Sequence, residues 1–156
     1  MSTTRYTIGD LLRVMQRLRD PEGGCPWDLQ QDFRSLVPST LEECYELASA
    51  IEHGDYPHVA EELGDVLFQV IFYAQLGAEQ GLFSFSQIVD TLVEKLLRRH
   101  PHVFVDGDIE QRLDSRVSVV EVKHSWEAIK REERASRAQR GAMDDVPAAL
   151  PALPRA

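Results

Sequence analysis

Between Leu41 and Val70 the chain carries eight acidic residues and no Lys or Arg, laid on an apolar pattern of helical period. The acids are Glu42, Glu43, Glu46, Glu52, Asp55, Glu61, Glu62 and Asp65. Residues three apart on a helix share a face, so Glu43 lies beside Glu46 and Glu62 beside Asp65. The intervening "HGDYP" is a turn, and two helices joined by so short a turn pack as an antiparallel hairpin. Two carboxylate pairs then face each other next to the apolar stripes that build a core. In a partly desolvated site four such charges repel strongly. A hard divalent cation resolves the conflict. Mg²⁺ favours oxygen ligands in near-octahedral geometry and completes its shell with water or phosphate oxygens. The same acids can also act only as caps and helix-dipole partners, a reading that fits Glu42 and Glu61 best. Spacing alone does not separate the two.

Helical periodicity runs through nearly all of the rest, and no segment alternates convincingly as a strand. Thr7 caps a first helix whose buried stripe is Leu11, Leu12, Val14, Met15 and Leu18. "DPEGGCPWD" makes Asp20 to Asp28 a loop. A second helix is expected to start after Pro38, with Ser39 and Glu42, or Thr40 and Glu43 one residue on, as a capping box. Its apolar face is Leu41, Cys44, Leu47, Ala48 and Ile51. Asp55 caps a third helix, with Pro57 in the first turn. That helix buries Val59, Leu63, Val66, Leu67, Val70, Ile71 and Ala74. "EQGLFSF" is a further break, Ser84 and Gln87 suggest another capping box, and a fourth helix runs through Ile88, Leu92, Val93, Leu96 and Leu97 to Pro101. A polar connection around Asp106 to Ser115 leads to a charged helix over roughly Val119 to Arg140. The fold class is all-α, with one helical domain over 1–140 and a Pro/Ala-rich arm or linker over 141–156.

A chain of 156 residues can bury a core of useful size as a single domain. Its formal net charge of −9 argues against a nucleic-acid polymer or a membrane surface as partner, since either needs a basic face. Nucleotides stay open, because a divalent cation bridges protein acids to phosphates. Cys25 and Cys44 form no disulfide framework and no zinc motif, which fits a reducing, cytoplasmic compartment. "MSTTRYTIGDLL" lacks the apolar core of a signal peptide, and no apolar run approaches the ~20 residues that span a bilayer.

A second constellation is cationic. "EKLLRRHPHVF" sets Lys95 and Arg99 four apart on one face with Arg98 beside them, and "WEAIK" sets Trp126 and Lys130 four apart on another. In so acidic a chain, cations gathered beside a Trp suit an anionic ligand. They also suit the plain task of complementing a helix C-terminus, and Trp126 a place in the core. The run "KREERASRAQR" reads as a solvated face.

These segments together resemble the MazG family of nucleoside triphosphate pyrophosphohydrolases. "EECYE" followed by "EELGD" matches the family pattern EExxE…ExxD, and "MQRLRDPEGGCPWD", "KLLRRHPHVF", "WEAIKREER" and "DDVPAALPALPRA" agree in order, from about Ile8 to Arg155. The resemblance is to the first MazG-like domain of members that carry two in tandem. It implies an all-α four-helix core, a homodimer, and Mg²⁺-dependent hydrolysis of a nucleoside triphosphate to monophosphate and pyrophosphate, with Mn²⁺ as a possible substitute. It matches Glu43, Glu46, Glu62 and Asp65 to the metal ligands, and Lys95, Arg99, Trp126 and Lys130 to contacts with phosphates and nucleotide. Glu42, Glu43 and Glu46 are the candidate catalytic carboxylates, with Glu42 orienting a ligand, activating water or capping a helix. A house-cleaning role on non-standard nucleotides follows from the family alone.

No covalent nucleophile is needed, and neither cysteine has an evident paired His. The resemblance implies that water attacks the α-phosphorus in line and that Lys95, Arg99 and Lys130 would stabilise charge on the phosphates. A competing reading is a MazG-like module that binds nucleotide or a protein partner with little turnover. A di-iron carboxylate bundle would need two Glu-x-x-His motifs, and only Glu121-x-x-His124 is present.

Overall fold

The computed structural model describes residues 3–112 and 117–137. Every regular element among them is helical: α1 (Ile8–Leu18), α2 (Pro26–Leu29), α3 (Phe33–His53), α4 (Tyr56–Glu79), α5 (Phe85–Arg99), a 3₁₀ turn (Val105–Gly107) and α6 (Val119–Ser136). The chain divides into two compact units at Thr91–Leu92. The expected arm over 141–156, and the proposed boundary before it, lie outside the described residues.

In the first unit the helix ends follow their caps. Thr7 and Asp10 form a reciprocal capping box at the start of α1. Asp55 caps α4 by accepting from the His58 amide at 3.3 Å, with Pro57 in the first turn. Gly54 adopts φ 69° between α3 and α4, a left-handed conformation that glycine takes without a Cβ clash, and α3 and α4 pack as the expected hairpin. Ser84 and Gln87 exchange bonds of 2.8 and 3.2 Å at the start of α5.

Three expectations are corrected. The loop over Asp20 to Asp28 holds the start of a one-turn helix, α2, because Pro26 sits at its N-terminus, where a missing N–H costs nothing. The acidic helix starts at Phe33, five residues before Pro38. Asp32 caps it, accepting from the Ser35 amide at 2.8 Å while Ser35 Oγ accepts from the Asp32 amide at 2.8 Å. Pro38 lies inside α3, exposed, and lacks the N–H that would bond one turn back. Ser39 and Thr40 are therefore not caps. Thr40 Oγ1 donates to the Leu36 carbonyl at 3.0 Å and lies 2.7 Å from both Gln69 Oε1 and Tyr73 Oη, a polar knot between α3 and α4 around the buried Gln69.

The third correction concerns the apolar stripes. The core of this unit is Met15, Leu36, Ile71, Phe72 and Leu76, with Leu11, Leu12, Phe33, Phe68, Tyr73 and Phe85 against it. Gly77 admits Phe83, because a Cβ there would stand 2.4 Å from the Phe83 ring. Yet Leu41, Cys44, Ala48 and Ile51 on α3, and Leu63, Leu67 and Val70 on α4, are exposed. No residue of α5 is buried. Periodicity marks a face that is apolar, not what covers it.

In the second unit, Ser118 caps α6 with a capping box to Glu121. The helix ends at Ser136, and the expected extension over 138–140 lies outside the described residues.

Candidate active site

The hairpin brings three of the four expected metal ligands together. One carboxylate oxygen from each of Glu43, Glu62 and Asp65 lies within 4.8 Å of the others. Glu43 comes from α3, and Glu62 and Asp65 come from α4 at the spacing that puts them on one face. Glu62 is 7% exposed, Glu43 is half-buried and Asp65 is exposed, so the cluster opens outward from a dry floor. At an effective dielectric near 20, two unit charges at that separation repel by on the order of 3 kcal/mol. Burial, followed by the charges of Glu46, Asp65, Glu62 and Glu42, raises the Glu43 pKa above its ordinary value.

The donor set fits a hard divalent cation. Among the described residues neither Glu43 Oε2 nor Glu62 Oε2, both buried, has a hydrogen-bond partner, and an orphaned buried carboxylate oxygen is costly unless something positive meets it. All three donors are carboxylate oxygens, the type Mg²⁺ and Mn²⁺ favour. The other oxygen of Glu62 is engaged: His58 Nε2 lies 2.8 Å from Glu62 Oε1, one turn back on α4. Since an ionised carboxylate can only accept, the imidazole donates. His58 thus holds Glu62 with Oε2 left over. The sequence reading missed this residue, although its i, i+4 spacing to Glu62 was visible.

Glu46 and Glu42 stand outside the triad, and both are exposed. Glu46 still acts on Glu43 through its charge. Of the loop residues, Asp28 is buried and Trp27 is 55% exposed.

The second unit carries the cations. Lys95 and Arg99 line a cleft of about 830 Å³ together with Arg98, Glu132, Glu133 and Arg137. Trp126 and Lys130 fall outside that lining. Trp126 packs edge-on against His100, ring centroids 5.3 Å apart, and its buried Nε1 meets no acceptor among the described residues. Lys130 Nζ lies 3.8 Å from Glu127 Oε1. The arginines do not stand free: Glu133 holds both Arg98 and Arg99. That contact joins residues 35 positions apart and left no trace in local spacing.

An all-helical hairpin carrying a three-carboxylate cluster on a partly buried face defines a helical domain whose donor set suits a divalent cation. Residues 31–104 match the MazG nucleotide pyrophosphohydrolase domain, and the chain carries a domain of that kind. Over 149 residues it is 52% identical to a protein of Escherichia coli K12 named nucleoside triphosphate pyrophosphohydrolase, covering 96% of this chain and 54% of that one. Over 98 residues it is 51% identical to the nucleoside triphosphate pyrophosphohydrolase/pyrophosphatase MazG of Thermotoga maritima, covering 63% of this chain and 38% of that one. The chain thus spans about half the length, or less, of these curated relatives. The crystal structure of a mazG-related protein from Thermotoga maritima has a similar fold, with a TM-score of 0.64 at 24% identity over 79% of this chain and 98% of that one.

Proposed function

We propose that the chain hydrolyses nucleoside triphosphates to the monophosphate and pyrophosphate, using Mg²⁺ held by Glu43, Glu62 and Asp65. The observation that carries the metal reading is the pair of buried, unpartnered oxygens on Glu43 and Glu62 beside Asp65. The names of the relatives support the reaction class. The bound ion supplies charge neutralisation and Lewis acidity at phosphate oxygens. Mn²⁺, equally partial to oxygen donors, substitutes.

The chain's own residues do the rest. Glu62 is held in place by His58. Glu42 and Glu46, exposed and outside the triad, are the carboxylates left to orient the attacking water. That water adds to the α-phosphorus, the bond to the bridging oxygen of the β-phosphate breaks, and pyrophosphate leaves. Lys95, Arg99 and Lys130 contact the phosphates and offset the charge of the reacting group. Trp126 contacts the nucleotide.

The working form is a homodimer. The exposed stripes Leu41, Ile51, Leu63, Leu67 and Val70 support this, because exposed apolar stripes on paired helices favour burial against a second copy. No helix among the described residues is long and apolar enough to cross a membrane. The two free cysteines support a cytoplasmic setting. Product analysis with Mg²⁺ and with EDTA tests the reaction: monophosphate and pyrophosphate in equal amounts, only with Mg²⁺, is the expected result. Diphosphate with orthophosphate, or no turnover, overturns it.

A further inference from the structure

Arg98 and Arg99 are neighbours at the end of α5, and one carboxylate on α6 takes both. Glu133 Oε1 accepts from Arg98 Nε at 3.0 Å, from Arg98 Nη2 at 2.8 Å and from Arg99 Nε at 3.3 Å, while Oε2 accepts from Arg99 Nη2 at 2.8 Å. Both oxygens of one anion are thus met by the forks of two guanidiniums, the arrangement that arginines offer a phosphoryl group. The Arg99 bond, and then the Arg98 bond, hold the Glu133 carboxyl down at about 2.

The surroundings favour a ligand anion over a purely structural pair. Four cationic side chains, Lys95, Arg98, Arg99 and Arg137, line the cleft against two carboxylates, Glu132 and Glu133, in a chain of net charge −9. Arg98 is half exposed, so a solute reaches it. Each guanidinium has five N–H donors, and those that Glu133 leaves unused face other directions.

We propose that the Arg98–Arg99 pair is a phosphoryl-binding site and that Glu133 is its internal competitor, so that a polyphosphate binds by displacing this carboxylate. The site rests on the reading that the chain takes nucleoside triphosphates, and it adds Arg98 and Glu133 to the residues that govern phosphate affinity. The exchange is feasible: charge-assisted bonds are replaced by bonds of the same kind, and Glu133 is released to water, where a carboxylate is well solvated. What Glu133 costs the ligand is the strength of two partly exposed ion pairs, roughly tenfold in affinity.

Calorimetric titration of inorganic tripolyphosphate in EDTA, into the whole chain, tests this without turnover. Glu133→Gln should bind roughly tenfold more tightly than wild type. Glu132→Gln removes the same charge from the same cleft without an ion pair to either arginine, and should change affinity by less than about twofold. Equal gains in both variants, unchanged or weaker binding in Glu133→Gln, or no binding to either protein overturns the proposal. Should Glu133→Gln fail to fold, the wild-type protein answers by NMR. Saturating tripolyphosphate should move the Glu133 carboxyl titration up from about 2 into the ordinary carboxylate range, and an unmoved titration overturns displacement. Hydrolysis of nucleoside triphosphates is assayed separately with Mg²⁺. Its absence removes the proposed reaction and leaves the tripolyphosphate result to stand or fall by itself.

Discussion

Glu43 on α3 and Glu62 on α4 each keep one buried carboxylate oxygen that no group among the described residues meets, within a cluster completed by Asp65. The protein stores this electrostatic cost at its site. The Glu43 pKa is raised, so its ionised form is disfavoured in the fold. That penalty is present at neutral pH and fades as pH falls through the raised folded value toward the ordinary 4.5. Glu43→Gln should therefore raise the melting temperature of the metal-free protein at pH 7. Mg²⁺ should raise the melting temperature of wild type and not of the variant. Thermal scans with EDTA and with Mg²⁺ check both.

Removing a ligand while keeping its shape separates the triad from its neighbours. Asp65→Asn should lower turnover by about a hundredfold or more, because an amide supplies no charge to a hard cation. Glu46→Gln, outside the triad, should lower kcat and leave Mg²⁺ affinity within about threefold. Steady-state kinetics across a Mg²⁺ series distinguishes the two.

His58 orients Glu62, and groups that orient metal ligands typically affect metal affinity by about 10–100-fold. With His58 half exposed, His58→Ala should fall at the lower end, weakening Mn²⁺ binding by roughly tenfold in calorimetry. His58→Gln can still donate across one helical turn and should recover most of the loss. Equal affinity in all three proteins would remove His58 from the site.

The Glu133 carboxyl, held at about 2 against an ordinary 4.5, makes a stability contribution of known sign. It is fully present above about 4.5 and is lost as pH falls from there through about 2. The stability difference between wild type and Glu133→Gln should therefore be constant from neutral pH down to about 5 and close below it. Denaturant melts at a series of pH values measure that gap.

Leu67 is 39% exposed on the apolar stripe of α4, between Leu63 and Val70. Leu67→Glu should shift sedimentation from dimer to monomer while leaving the helical signal in circular dichroism intact. A monomeric wild-type chain would contradict the assembly.

Local chemistry was legible in the sequence wherever it acts within a turn or two. Thr7, Asp55, Ser84 and Gln87 cap as their neighbours predict. The spacing of Glu43, Glu62 and Asp65 foretold their meeting, because a short turn leaves a helical hairpin little choice. Pro38 misled because proline ordinarily breaks helices, and the box just after it hid the Asp32–Ser35 cap, whose residues lack the usual Glu or Gln. Leu41, Ile51 and Leu63 were expected inside because a stripe gives no address for its partner. The Arg98–Arg99–Glu133 clamp and the Thr40–Gln69–Tyr73 knot join distant segments through tertiary packing, which no local pattern encodes.

The most direct measurement is hydrolysis of a nucleoside triphosphate by the purified chain with Mg²⁺ in ¹⁸O-labelled water, followed by mass spectrometry of both products. Attack at the α-phosphorus predicts one labelled oxygen in the nucleoside monophosphate and unlabelled pyrophosphate, with no products in EDTA. Label in the pyrophosphate, label in orthophosphate, or a chain that turns nothing over in Mg²⁺ would contradict it.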